Sequence, residues 1–236
     1  ERYLSLSLRQ AREWALELQV AVPLAQMRPQ LNPYLRARTG LPLTVTSFSQ
    51  DHSSGNEIGA YSDGRHIYLP ERIDRFDHPA ANRKLYRCLV RFESGYYEFD
   101  TFAFDCQRAL EGCRKEAPDA FPQEGIPSPL PPGTEPEGLS ELALWYARFP
   151  SARLAEDLFH VFEHGRIRRC FEIRYPGLIR NYLPMLQQEW LDRFAAFGQP
   201  EPLNGLYAAI ALAMSPERVF SAAQPRSFAW IKPVLQ

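Results

Sequence analysis

The stretch "LAEDLFHVFEHGRIRR" carries His160, Glu163 and His164 in the order H-x-x-E-H. Two imidazoles four residues apart share one face of a helix, the geometry a metal needs from a pair of histidines. Glu163 sits beside that face, where the general base for a zinc-bound water belongs. The string is also the signature of the inverted zinc peptidases, so a zinc hydrolase is one reading. A third protein ligand is then required. Glu172, Glu189 and Glu217 are the downstream candidates, and none lies in a recognisable motif. The competing reading is an amphipathic helix whose apolar stripe is Leu154, Leu158, Val161, Phe162 and Phe171. The histidines then fall beside or opposite the stripe and pair with Glu156, Asp157 or solvent, while Glu163 and Arg166, three apart, interact along one face.

The elements that must position these residues are legible in outline. The chain has 236 residues, is 45% apolar and 13% aromatic, and carries a formal net charge of -1. That suffices for a real core and announces no nucleic-acid surface. Its 27 basic residues are arginines apart from Lys84, Lys115 and Lys232. Cys88, Cys106, Cys113 and Cys170 form no C-x-x-C pair, so a thiolate zinc site is not expected. Scattered cysteines read as buried thiols of a reducing compartment. With no bilayer-length apolar run and no signal peptide in view, the chain is expected to be cytoplasmic and off the membrane, and it reads as a fragment or trimmed product of something longer.

Residues 3 to 20 read as an amphipathic helix. Pro29 and Pro33 allow only short helical turns over 24 to 38. "LPLTVTSFS" at 41 to 49 predicts a strand, and Asp63-Gly64 predicts a type I′ hairpin between Ala60-Tyr61 and His66 to Leu69. Asp77 and Pro79 start a helix with Leu85, Cys88, Leu89, Phe92 and Tyr96 on one stripe. Another helix covers Phe104 to Glu116. Residues 117 to 138 hold seven of the 21 prolines and read as an extended surface loop. Ser140 opens a short helix, Ser151 caps the helix bearing the H-x-x-E-H, and "YPGL" at 175 to 178 is a break. Two more helices follow, the first burying Leu183, Leu186, Trp190, Leu191 and Phe194. The fold class is α+β, mostly helical with a small antiparallel β-hairpin sheet, in a single domain over 1 to 236.

The words "HIYLPERIDRF", "NRKLYRCLVRFESGYYEFDTFAFD", "FPSARLAEDLFHVFEHGRI" and "YPGL", in that order and spacing, resemble one family. It is the von Willebrand factor A-containing partners of MoxR-type AAA+ ATPases, the CbbO-like and NorD-like proteins. The resemblance runs from about Arg65 to Leu178, roughly half the chain. In similar members the earlier helix carries H-x-x-x-H where this chain reads Phe92 and Tyr96, and the later helix carries Glu-x-x-Arg, matched by Glu163 and Arg166. Together with the hairpin these imply a degenerate zinc-peptidase-like scaffold. Phe92 cannot ligate a metal and Tyr96 ligates one poorly, so both are vestigial ligand positions. What the resemblance leaves is a polar cluster of Glu93 or Glu98 with Glu163 and Arg166, structural rather than catalytic.

"YRCLVRFESGYYEFDTFAFD" is nearer to the CbbO-like wording. Such a subunit links a CbbQ-like ATPase ring to inhibited rubisco, which the ring remodels at the expense of ATP. The resemblance therefore implies a non-enzymatic N-terminal adaptor domain with no cofactor of its own. The alternative is a NorD-like adaptor for nitric oxide reductase. The von Willebrand factor A domain would follow at the C-terminal end. Its D-x-S-x-S site has no counterpart here, because "DHSSG" at 51 to 55 has the wrong spacing. No Walker A pattern occurs, so ATP binding is left to the ring.

Overall fold

The computed structural model describes residues 20–48, 59–116, 140–197 and 202–215. In chain order the elements are β1 (Val22–Pro23), α1 (Leu24–Thr39), β2 (Thr44–Ser47), β3 (Tyr61–Ser62), β4 (His66–Leu69), β5 (Arg72–Ile73) and α2 (Pro79–Glu98). A 3-10 turn (Thr101–Ala103) leads to α3 (Cys106–Glu116), α4 (Glu141–Tyr146), α5 (Ala152–Arg174), α6 (Pro176–Phe197) and α7 (Pro202–Ile210). The fold class is α+β and mostly helical, with a small sheet built on an antiparallel hairpin. The expected helix at 3 to 20 and the Pro-rich loop at 117 to 138 lie outside the described residues.

The chain forms two compact units. Among the described residues, the first holds those up to Glu98 with Gly177–Trp190. Its three-stranded sheet has the order β2-β4-β3. Residues β3 and β4 pair antiparallel, Tyr61 against Tyr68, whereas β2 joins β4 in parallel, Thr44 against His66 through Ser47 against Leu69. Period-two alternation selects the core: Ile67 and Leu69 are buried, and His66 and Tyr68 are half-buried. The hairpin is not the expected type I′ turn. That turn needs positive φ at both central residues, and here only Gly64, at 89°, has it. The loop is closed by the Asp63 N–H on the His66 carbonyl. The Asp63 carboxylate supports it further, accepting from the N–H groups of Arg65 at 2.8 Å and His66 at 2.6 Å.

Helix α1 runs unbroken through Pro29 and Pro33, against the sequence expectation. Each proline removes one helical hydrogen bond at a cost of about 3 kcal/mol. Both stand on the exposed face, and Leu24, Met27, Leu31 and Leu35 on the other face are all buried. That apolar stripe outweighs local propensity. Gly40, at φ 72°, ends the helix in a left-handed cap with its N–H on the Arg36 carbonyl. Helix α2 is buried along one side and then on all sides from Val90 to Tyr96. Fully buried Asn82 accepts the Phe76 N–H and donates to the Val20 and Phe76 carbonyls. Tyr86 donates to the Val22 and Pro70 carbonyls. These two polar side chains satisfy the irregular backbone that α2 covers.

Among the described residues, the second unit holds those from Phe99 to Pro176 and those from Leu191 onward. Ser140 and Ser151 cap α4 and α5, accepting from the N–H groups of Ala143 and Leu154. Helices α5 and α7 pack through Val161 and Leu206, with Leu158, Leu203, Tyr207 and Ile210 around them. Gly165 makes that approach possible, since a Cβ there would lie 2.7 Å from Ile210 Cγ2. Phe104, Trp145, Tyr146, Phe149 and Phe159 form an edge-to-face aromatic group. The apolar stripe expected on α5 is corrected at two positions, because Leu154 is 50% and Phe162 53% exposed.

Candidate functional site

Glu163 lies on the buried side of α5, 8% exposed, and a carboxylate there needs partners. It has them. Arg166, one turn on, donates Nε to Glu163 Oε2 at 2.8 Å and Nη2 to Oε1 at 2.5 Å. This is the bidentate fork that suits arginine and carboxylate. The Thr101 hydroxyl donates to Oε1 as well, in a short hydrogen bond. Arg166 Nη2 also donates to the Phe99 carbonyl at 2.8 Å and to Thr101 Oγ1 at 3.2 Å. The hydrogen bonds to Glu163 raise the Arg166 pKa further above its usual value, against an opposing contribution from burial. The Tyr146 phenol is raised too, first by burial and then by the charges of Glu156 and Glu163. The result is a charge-paired clasp between α5 and the turn that opens the second unit.

The histidines that flank Glu163 do not converge with it on one point. His160 Nε2 lies 3.9 Å from Glu156 Oε1, one turn back, with both side chains about two-fifths exposed. The His164 ring stands edge-on to Tyr207 at 5.6 Å. Among the described residues no group of three or more His, Cys, Asp or Glu side chains is placed to hold a metal. Glu172 is taken up by Arg168 and Arg169, and Glu189 is buried on α6. Glu217 lies outside the described residues.

Of the four residues expected to form one polar cluster, Glu163 and Arg166 share the clasp just described. Glu98 has a second network, inside the first unit. Arg38 Nη2 donates to both of its oxygens, at 2.7 and 2.6 Å, and Arg91 Nη2 lies 3.9 Å away. Arg91 is 2% exposed and also donates to the Tyr34 hydroxyl at 3.0 Å. Glu93 is buried on α2, within electrostatic reach of Tyr97. Phe92 and Tyr96 are buried one turn apart on the same helix, 5% and 4% exposed. Thr101 and the Phe99 carbonyl were not legible as partners of the clasp, because nothing in "FDTFAFD" marks a threonine as an ion-pair ligand. The fold brings it there through a left-handed turn at Asp100, φ 59°.

Among the described residues no helix is long and apolar enough to cross a membrane. All four cysteines are free; Cys88 and Cys106 are buried, and Cys113 and Cys170 are half-buried. Comparison with protein families, with curated proteins and with solved structures finds no match for this chain.

Proposed function

We propose that the chain is a non-enzymatic adaptor domain of the CbbO-like kind, joining a CbbQ-like MoxR-type ATPase ring to inhibited rubisco in the cytoplasm. The observation that carries this reading is the state of the residues that answer to a hydrolytic centre in the resembling proteins. Phe92 and Tyr96 stand at the histidine positions and are packed into the interior. Glu163, at the glutamate position, has both oxygens committed to Arg166 and Thr101. A carboxylate so engaged anchors α5 to the turn at Thr101. The scaffold's polar residues then hold helices in place, and the work left to the domain is contact with other proteins.

The test is a pull-down and activation assay with the cognate ATPase, comparing the whole adaptor with a form lacking residues 1 to 236. Loss of ring binding or of rubisco reactivation in the shortened form is expected. Full retention of both overturns the proposal. Activation of nitric oxide reductase in place of rubisco would assign the NorD-like client. Stoichiometric zinc in the purified chain would favour the hydrolase reading.

A further inference from the structure

The first unit carries a cleft of about 410 Å³ lined by Lys84, Arg87, Gly177, Leu178, Asn181 and Tyr182. Two of the six are cations and none is acidic. Lys84 and Arg87 stand three residues apart on α2, so their side chains project from successive turns on one side of the helix. Among the described residues neither forms an ion pair, and Arg87 donates only Nη2, to Gln30 Oε1 at 3.1 Å. The lysine contributes a mobile point charge and the arginine a planar fork, a pairing suited to a phosphate's several oxygens.

Helix α6 supplies the rest of the lining. Nothing lies within 4 Å of where a Gly177 Cβ would be, so the backbone there is open. Asn181 spends Nδ2 on the Gly177 carbonyl at 3.1 Å, which leaves Oδ1 available as an acceptor for a hydroxyl. Leu178 and the Tyr182 ring supply an apolar surface beside the charged edge. Burial raises the Tyr182 phenol, and the positive charges of Arg87 and Arg91 act against that rise. The volume exceeds what a bare phosphate ion fills and has room for a small organic body.

We propose that this cleft binds a small phosphate monoester, its phosphate held by Lys84 and Arg87 and its hydroxylated body lying against Asn181, Leu178 and Tyr182. The site is independent of the adaptor reading. It uses no residue of the Glu163 clasp and would stand if that reading fell.

Calorimetric titration of the whole chain with glucose 6-phosphate, inorganic phosphate and glucose tests it. Saturable binding of glucose 6-phosphate is expected, weaker binding of inorganic phosphate, and none of glucose. Raising the salt concentration should weaken the first two. The Lys84→Gln, Arg87→Gln double variant should lose about tenfold or more in affinity, while Lys84→Arg keeps most of it. These side chains are half-buried and exposed, so the variants are expected to fold, which circular dichroism checks. Unchanged affinity in a folded double variant overturns the proposal, as does no binding by the unaltered chain. Equal affinity for inorganic phosphate and glucose 6-phosphate removes the role given to Asn181, Leu178 and Tyr182.

Discussion

At the scale of single residues, charge pairing decides which side chains matter. Removing Arg166 would leave a buried carboxylate with the Thr101 hydroxyl as its main donor. The Arg166→Ala variant should therefore lose about 2–3 kcal/mol of stability. A double variant, Glu163→Leu with Arg166→Met, should recover much of that loss, since it deletes the charge and its partner together. Urea midpoints of the three proteins check this, and equal midpoints for Arg166→Ala and the unaltered chain would show the clasp to be idle. The spacing Glu-x-x-Arg was legible as a pair; its buried setting was not, because burial is a property of the folded chain.

Asp63 has the opposite exposure and a different pH signature. Burial alone would raise its pKa, but the hydrogen bonds from the His66 and Arg65 N–H groups and the Tyr68 hydroxyl together bring it below the usual 3.8. A depressed carboxyl stabilises the fold above its unfolded value, and that contribution is lost as pH falls through the lower folded value. The Asp63→Asn variant should thus melt a few degrees lower at neutral pH. The difference should close as pH falls past the lowered folded value, where both proteins are neutral at this position. A gap that persists unchanged in acid would mean that geometry, not charge, holds the hairpin.

At the scale of elements, the sequence was most readable where one face of an element decides its fate. Stripe, cap and turn residues predicted α2, α4, α5 and the hairpin strands closely. It was misread where a distant partner decides. Pro29 and Pro33 argue against a long helix, yet the buried side of α1 makes one. The parallel pairing of β2 with β4 leaves no local mark, since alternation reports exposure and not strand direction. Gly165 carries no mark of its role in the sequence, and it is the contact point for α7. Alanine there gains up to about 1 kcal/mol in helix propensity. Its methyl must displace a branched side chain and approaches the Ile210 carbonyl at 3.3 Å, which costs about 1–3 kcal/mol. Gly165→Ala should be destabilising on balance, and Ile210→Ala in the same chain should relieve part of the strain. A Gly165→Ala protein that melts at or above the starting temperature would show that α7 moves aside freely.

At the scale of the whole molecule, each unit is assembled from segments far apart in sequence, and α6 contributes to both. A helix is cooperative along its length, so the two units should lose structure in one transition. The cysteines can report on this. Cys88 in the first unit is fully buried, and burial pushes its thiol from 9.0 up to about 12. At pH 8 that shift alone lowers the reactive thiolate about a thousandfold. Cys113 and Cys170, half-buried in the second unit, should react with a thiol reagent before it. As urea is raised, labelling of Cys88 should rise at the concentration where the environment of Trp145, in the second unit, is lost. Cys88 labelling well before or after that point would show two units that unfold separately, and α6 would then be a connection rather than a coupling.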